Sequence, residues 1–238
     1  MKTSVLVIAH NEEKYIERCI QSVLDQTQKP DEIVLIAHNC SDRTEILAAN
    51  FPAIRVVSYK GPEGVPYARI KGFEEVTGDI VACIDGDSVA DRQWLFQLTA
   101  PLVHNPTITI VAGYVVITNS VFSRLTSLWQ FMANRKLFRT TTHLFAWGSN
   151  FACRKVDYER VGGIAPVIKL RETLPLHFWA EDLYISLALM QVGQIYVALR
   201  AKTYTQLPEW KLDLATAPIK QWREDNENLL TYFKNRVL

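Results

Sequence analysis

The sequence predicts an α/β fold with a mainly parallel central sheet and helices on both faces. Two observations carry this: short, largely apolar runs alternate with segments of helical periodicity through residue 87, and each run is followed by polar residues. Val5 to Ala9, Ile33 to Ala37, Ile54 to Ser58 and Ile80 to Ile84 have the length and composition of buried strands. Ile16, Cys19, Ile20, Val23 and Leu24 recur at helical spacing after the first run. Asn11 is expected to cap that helix, with Glu12 and Glu13 in its first turn, where the helix dipole favours acids. A second helix is expected to begin near Ser41 and Asp42, and a third to cover Tyr67 to Val76.

Beyond residue 88 the alternation loosens. The pattern predicts a helix over Trp94 to Val103, a strand over Ile108 to Ile117, a helix over Glu181 to Val192, a strand over Gln194 to Leu199 and a closing helix over Ala217 to Leu238. No repeat, low-complexity tract or Gly/Pro-rich linker divides the chain, so one domain is expected over residues 1–238. Its first part, to about residue 90, would serve as one binding half and the remainder as the other.

With 238 residues and 48% apolar side chains the chain can bury a sizeable core. A formal net charge of +1, without a basic patch, argues against bulk nucleic acid as a partner. Cys19, Cys40, Cys83 and Cys153 form no CxxC pair and read as reduced, mostly buried thiols. The run Val5 to Ala9 is too short for a signal peptide, and no apolar stretch is long enough to cross a bilayer. A cytoplasmic protein is expected, at most peripheral at the inner face of a membrane.

In parallel α/β sheets ligands collect at the carboxyl ends of the strands, here His10 to Glu13, His38 to Asp42 and Asp85 to Ser88. Asp85-Gly86-Asp87 is the sharpest feature. Two carboxylates one residue apart in extended chain project to the same side, and Gly86 between them permits close approach of backbone or ligand. Mg²⁺ or Mn²⁺ is commonly held by one or two carboxylates plus substrate phosphates, so the pair suits a diphosphate. A turn with solvated acids fits the same residues. Arg69, a charged fork on an otherwise apolar helix, can engage phosphate, lie exposed, or pair with Glu13 or Asp79.

Around this pair the sequence resembles family 2 glycosyltransferases of the GT-A fold. Val5 to Glu13 looks like that family's opening strand and Asn-Glu-Glu turn, and Ala37 to Thr44 like the segment after its second strand. Ala68-Arg69, Gly72-Phe73 and Gly78 to Val81 match the run into the two acids. Trp147-Gly148-Ser149-Asn150-Phe151, Val161-Gly162-Gly163 and Glu181-Asp182 match its acceptor half in order. The resemblance spans about residues 3 to 200.

It implies a nucleotide-diphosphate sugar donor, linked to uridine, and a glycan, lipid-linked or small-molecule acceptor. Ala9, Asn11, Glu13 and His38 would line the base and ribose pocket, with Arg69 near the uridine or phosphates. Asp85, with Gly86 beside it, would face ribose and metal, and Asp87 would coordinate Mn²⁺ or Mg²⁺. Trp147, Gly148, Ser149 and Asn150 would border the acceptor. The family often has Asp where His38 stands, and that acid commonly reads the base. A strand-end histidine is also an ordinary surface or hydrogen-bonded residue.

Glu181-Asp182 is the candidate base site, because an acceptor hydroxyl needs a positioned carboxylate to take its proton. The resemblance favours Asp182 as base, Glu181 as its orienting neighbour, and inversion by single displacement. Both acids also fit as simple helix-capping residues. Phe122 to Phe151 mixes aromatic and basic side chains, which suits either a core-packed helix or peripheral membrane contact. His143 and His177 are further metal-ligand candidates or ordinary polar residues.

Three other classes use related folds. A sugar nucleotidylyltransferase would carry a Gly-rich, Arg-bearing opening loop where Asn11-Glu12-Glu13 stands, and a dinucleotide oxidoreductase would carry GxGxxG after the first strand. A non-catalytic sugar-nucleotide or glycan binder would have no need of both candidate acids.

Overall fold

A computed structural model describes residues 1–118, 148–176, 180–206 and 217–235. The elements are β1 (Thr3–Ala9), α1 (Ile16–Leu24), β2 (Glu32–His38), α2 (Thr44–Ala49), β3 (Arg55–Tyr59), α3 (Val65–Glu75), β4 (Ile80–Asp85), β5 (Val89–Ala90), α4 (Trp94–His104), β6 (Ile108–Ile117), β7 (Asn150–Arg154), α5 (Lys155–Arg160), α6 (Ala165–Leu170), α7 (Glu181–Met190), β8 (Gln194–Thr205) and α8 (Ala217–Lys234). They build one eight-stranded sheet in the order β3-β2-β1-β4-β7-β6-β8-β5.

The half containing β1 to β4 is parallel, as expected. Beyond β4 the sheet is mixed: β7 runs antiparallel to both β4 and β6, and β5 antiparallel to β8, while β6 and β8 pair in parallel. The sequence reading did not include β7, because Asn150 to Arg154 lies beside an aromatic stretch that hides its strand period. It also ended β8 too early: Arg200 and Lys202 break the apolar pattern, yet the strand continues to Thr205 by pairing with β6.

Strand periodicity sorts the core into two faces. Val5, Val7, Ile33, Leu35, Ala82 and Ile84 pack with α1, α2 and α4, whereas Leu6, Ile8, Val34, Ile36, Val81 and Cys83 pack with α3, α5, α6, α7 and α8. Each fully buried aliphatic side chain contributes about 1.5 to 3 kcal/mol. The alternation 81, 83, 85 on β4 brings Asp85, the last residue of that strand, to the α3 and α7 face.

Glycines set how closely the helices approach. A Cβ on Gly72 would strike the Leu6 side chain 2.5 to 2.6 Å away, so α3 lies directly on β1. Gly162 (φ 81°) and Gly163 (φ 61°) close α5: Gly163 N–H donates to Tyr158 O (2.8 Å) and Gly162 N–H to Glu159 O (3.0 Å), a Schellman termination. That turn seats Tyr158 flat against Phe73 of α3, with ring centroids 3.6 Å apart. The family-like segment Val161-Gly162-Gly163 thus does architectural work.

Asn150, expected at the acceptor, is instead a buried joint and needs correcting. It is 0% exposed. Its Oδ1 accepts from Trp94 Nε1 (2.8 Å), and its Nδ2 donates to Tyr114 O, Ala201 O and Thr203 Oγ1 at 3.0 to 3.1 Å. The bulge at Gly113, between Ala112 and Tyr114, makes room for this amide, which any Cβ there would overlap. The same side chain therefore ties α4, β6, β7 and β8 together, and its full burial keeps it out of an acceptor's reach. Asn150→Ala should cost about 2 to 4 kcal/mol in urea-unfolding experiments, since it strands several buried polar groups at once.

Candidate functional site

The tips of β1, β2 and β4 lie side by side, because β1 pairs with both neighbours and Ile8 is in register with Ile36 and Asp85. Two of these strands end on asparagines in the left-handed region, Asn11 (φ 56°) and Asn39 (φ 50°), a conformation that asparagine tolerates better than most residues. Asn11 does not cap α1. A capping residue has extended backbone, whereas Asn11 turns the chain back and its Oδ1 accepts from Ser41 N–H (2.8 Å). The helix starts later, after a turn in which Glu12 O accepts from Tyr15 and Ile16 N–H, so Glu12 and Glu13 precede the helix instead of filling its first turn.

The two loops are stitched together. Glu12 N–H donates to Thr44 Oγ1 (2.7 Å) and Glu13 N–H to Asp42 Oδ2 (3.0 Å), while the Glu13 carboxylate meets Arg43 at 3.3 Å. Ala9 is buried at the end of β1. His38 is buried as well: its Nε2 lies 3.0 Å from Pro62 O and its ring stacks on Tyr59 with centroids 5.3 Å apart. Burial lowers its pKa, which favours the neutral ring. In this setting His38 forms a wall of the β2 tip, with Nε2 already engaged.

The two acids of Asp85-Gly86-Asp87 are not neighbours along an extended strand. β4 ends at Asp85, and Ser88 N–H donates back to Asp85 O (3.0 Å), so the chain turns at Gly86. Gly86 N–H donates to Ile8 O (2.8 Å), and an added Cβ would press on Ala9 at 3.0 Å. The glycine serves close packing against β1 and α1. Asp85 uses Oδ1 on Arg69 Nη2 at 3.0 Å. Asp87 Oδ1 accepts from Ser88 Oγ at 3.0 Å and helps line a recess with Tyr15, Arg18, Val89, Thr118 and Tyr204. These companions escaped the sequence reading because they come from α1 and from the ends of β5, β6 and β8, with no local pattern joining them.

Arg69 lies at the centre of the other side of the site. It is 1% exposed on α3, and its partners are neither Glu13 nor Asp79. Nη1 holds Glu181 Oε1 while Nη2 holds Asp85, and Nε has no hydrogen-bond partner among the described residues. Asp182 follows on α7, with Oδ1 accepting from its neighbour Leu183 N–H (2.8 Å) and Oδ2 from Gly148 N–H (3.3 Å). Gly148 runs over the guanidinium so closely that any Cβ would collide with it. Ser149 beside it is half-buried. Trp147, His143, His177 and the segment Phe122 to Trp147 lie outside the described residues.

Burial pushes the Glu181 carboxyl up, against the pull of Arg69 and with a further push from Asp182. Burial likewise raises Asp182, opposed by Arg69 and by the backbone N–H groups of Leu183 and Gly148. One guanidinium thus faces three carboxylates, Asp85, Glu181 and Asp182. All four cysteines are buried free thiols, consistent with the composition.

The sequence model of glycosyl transferase family 2 matches residues 4–162, more than half of the chain. The chain belongs to this family. Among the relatives of this family 2 chain is the glucosyl-dolichyl phosphate glucuronosyltransferase of Haloferax volcanii, 36% identical over 121 residues, covering 49% of this chain and 39% of the relative. The probable glycosyltransferase YdaM of Bacillus subtilis is 27% identical over 234 residues, covering 89% and 52%. The chain therefore spans about half the length, or less, of these curated relatives. Among solved structures, glucosyl-3-phosphoglycerate synthase of Mycobacterium tuberculosis, in complex with Mn²⁺, UDP and phosphoglyceric acid, superposes with a TM-score of 0.66 at 18% identity, covering 96% of this chain and 78% of that one. That likeness shows the GT-A-type fold.

Among the described residues no group of three His, Cys, Asp or Glu side chains is arranged to hold a metal ion, and no helix is long and apolar enough to cross a membrane. Gly148→Ala should destabilise the chain by about 1 to 3 kcal/mol, the usual cost of overpacking, because the new methyl must displace a clamped guanidinium. Urea unfolding of the variant beside the parent chain measures it.

Proposed function

We propose that this family 2 chain transfers a sugar from a nucleotide-diphosphate donor, uridine-linked, to an acceptor hydroxyl, with Asp182 as the general base and inversion at the anomeric carbon. The observation that carries the reading is the convergence of α7 on the tip of β4: Asp182 and the Asp85-Gly86-Asp87 turn border the same site, bridged by Arg69. The H. volcanii relative, named for transfer of a glucuronosyl group, and the M. tuberculosis structure containing UDP and Mn²⁺ support the donor class.

Asp85 and Asp87 fit a hard divalent cation such as Mn²⁺ or Mg²⁺. Both present carboxylate oxygens, both are partly accessible, and Asp85 Oδ2 carries no hydrogen bond from the described residues. Two carboxylates make an incomplete set, which donor phosphate oxygens and water would fill. When bound there, such a cation would offset the negative charge that builds on a departing diphosphate.

The protein's own groups divide the remaining tasks. The strand tips carrying Ala9, Asn11, Glu13 and His38 wall the nucleoside side. Asp182 is held by two backbone N–H groups and takes the proton from the acceptor oxygen as that oxygen attacks. A carboxyl with a raised pKa is a stronger proton acceptor once ionised, and Arg69 keeps it ionisable. Glu181 orients the pair. An acceptor would enter past Gly148 and Ser149, and an acceptor on a lipid or glycan would bring peripheral membrane contact within reach of the chain.

Asp182→Asn should leave binding of UDP with Mn²⁺ within about threefold while lowering turnover about a hundredfold or more. Asp87→Ala should instead abolish the Mn²⁺-dependent part of UDP binding. Calorimetry of UDP binding and release of nucleotide diphosphate from a UDP-sugar panel read both, and unchanged turnover in Asp182→Asn would remove it as base.

The base must be unprotonated, so turnover should fall as the pH drops through its raised pKa. The acidic limb of the pH–rate profile is therefore expected above the ordinary carboxylate range. A limb at or below an ordinary aspartate value would contradict the assignment.

A further inference from the structure

We propose that Arg69 is a positioning residue that locks the start of α7, and with it Asp182, to the tip of β4, so that donor-side and acceptor-side carboxylates are held as one unit. The consequence for turnover rests on the transferase reading above; the lock itself does not.

Four observations point to it. The fork is shared between two elements remote in sequence, Nη1 on Glu181, 112 residues away, and Nη2 on Asp85, 16 residues away. A planar guanidinium can serve two carboxylates in fixed directions at once, whereas an ammonium group is a single point. Second, the start of α7 is held locally by little more than the bond from Leu183 N–H to Asp182 Oδ1. It has no side-chain cap, and the residue before it, Ala180, sits in the left-handed region at φ 50°, which is strained for alanine.

Third, Gly148 is laid over the guanidinium where only hydrogen fits, and the same residue donates to Asp182. The guanidinium therefore also sets the height of the backbone that holds the base. Fourth, Arg69 is kept in this place although its buried Nε has no partner among the described residues. An unsatisfied buried donor is costly, and such exceptions tend to persist where a function requires the geometry.

Hydrogen exchange in the ligand-free full chain tests the lock directly. Asp85 is not on α7, and its other influence there is charge repulsion on Glu181, whose relief would not loosen the helix, so faster exchange in Asp85→Asn reports the fork. It should speed exchange of the Tyr184 to Leu187 amides about tenfold, and the same change in an Arg69→Lys background should add little, because the lock is already open. Unchanged α7 exchange in Asp85→Asn would overturn the proposal.

Turnover supplies the second readout, with UDP-glucose, UDP-galactose and UDP-glucuronate in the presence of Mn²⁺. Arg69→Lys should lower kcat about a hundredfold, the usual effect of misplacing a catalytic group, with donor KM changed about threefold or less. A raised KM with kcat intact would make Arg69 a donor-binding group and overturn the proposal. If Arg69→Lys does not fold, Glu181→Gln carries both readouts, since it weakens the same link from the α7 side. A parent chain inert towards all three donors, but with Asp85→Asn transmitted to α7, would sink the transferase reading and leave the lock standing.

Discussion

The structure depends on one buried positive charge placed among three negative ones. Arg69 is inaccessible to solvent, yet it touches Asp85 at the end of β4 and Glu181 at the start of α7, with Asp182 close by. Removing one partner of such a buried pair typically costs about 3 to 5 kcal/mol, because the remaining charge is stranded. The other features of the site are arranged around this requirement. Gly148 has no side chain because the guanidinium lies beneath it, Gly72 brings α3 down onto β1 so that Arg69 reaches the strand tip, and the period of β4 turns Asp85 towards it.

The excess of carboxylates has a chemical meaning. A guanidinium cannot neutralise Asp85, Glu181 and Asp182 together, and burial further disfavours their ionised forms. The arrangement is therefore receptive to positive charge, either a proton on the α7 acids or a cation near the β4 turn. The proposed transfer calls for both capacities close together in space. The two are separated here by the direction in which each acid faces: Asp87 lines the recess with Tyr15 and Tyr204, while Asp182 faces Gly148.

Much of the fold was legible because its signals are local. The parallel half from β1 to β4 follows from apolar runs, turn residues and helical spacing, and the family-like motifs mark the strand tips that carry the acids. Legibility failed where the deciding contacts are long-range. Asn150 reads as a polar residue in an acceptor motif, but its amide is consumed by Trp94, Tyr114, Ala201 and Thr203, up to 56 residues distant. Asn11 reads as a helix cap, yet its backbone at φ 56° serves a loop crossing to Ser41.

The sequence by itself determined the fold class, the position of the Asp85-Gly86-Asp87 turn at a strand end and the presence of a second acidic pair at a helix start, since each depends on neighbours within a few residues. Only the tertiary structure decided that Arg69 belongs to Asp85 and Glu181, that Gly86 serves packing and that Gly148 must lack a side chain. Those outcomes depend on which surfaces the sheet brings face to face, and a charge chooses its partner from the groups left within a few ångströms after the chain has closed.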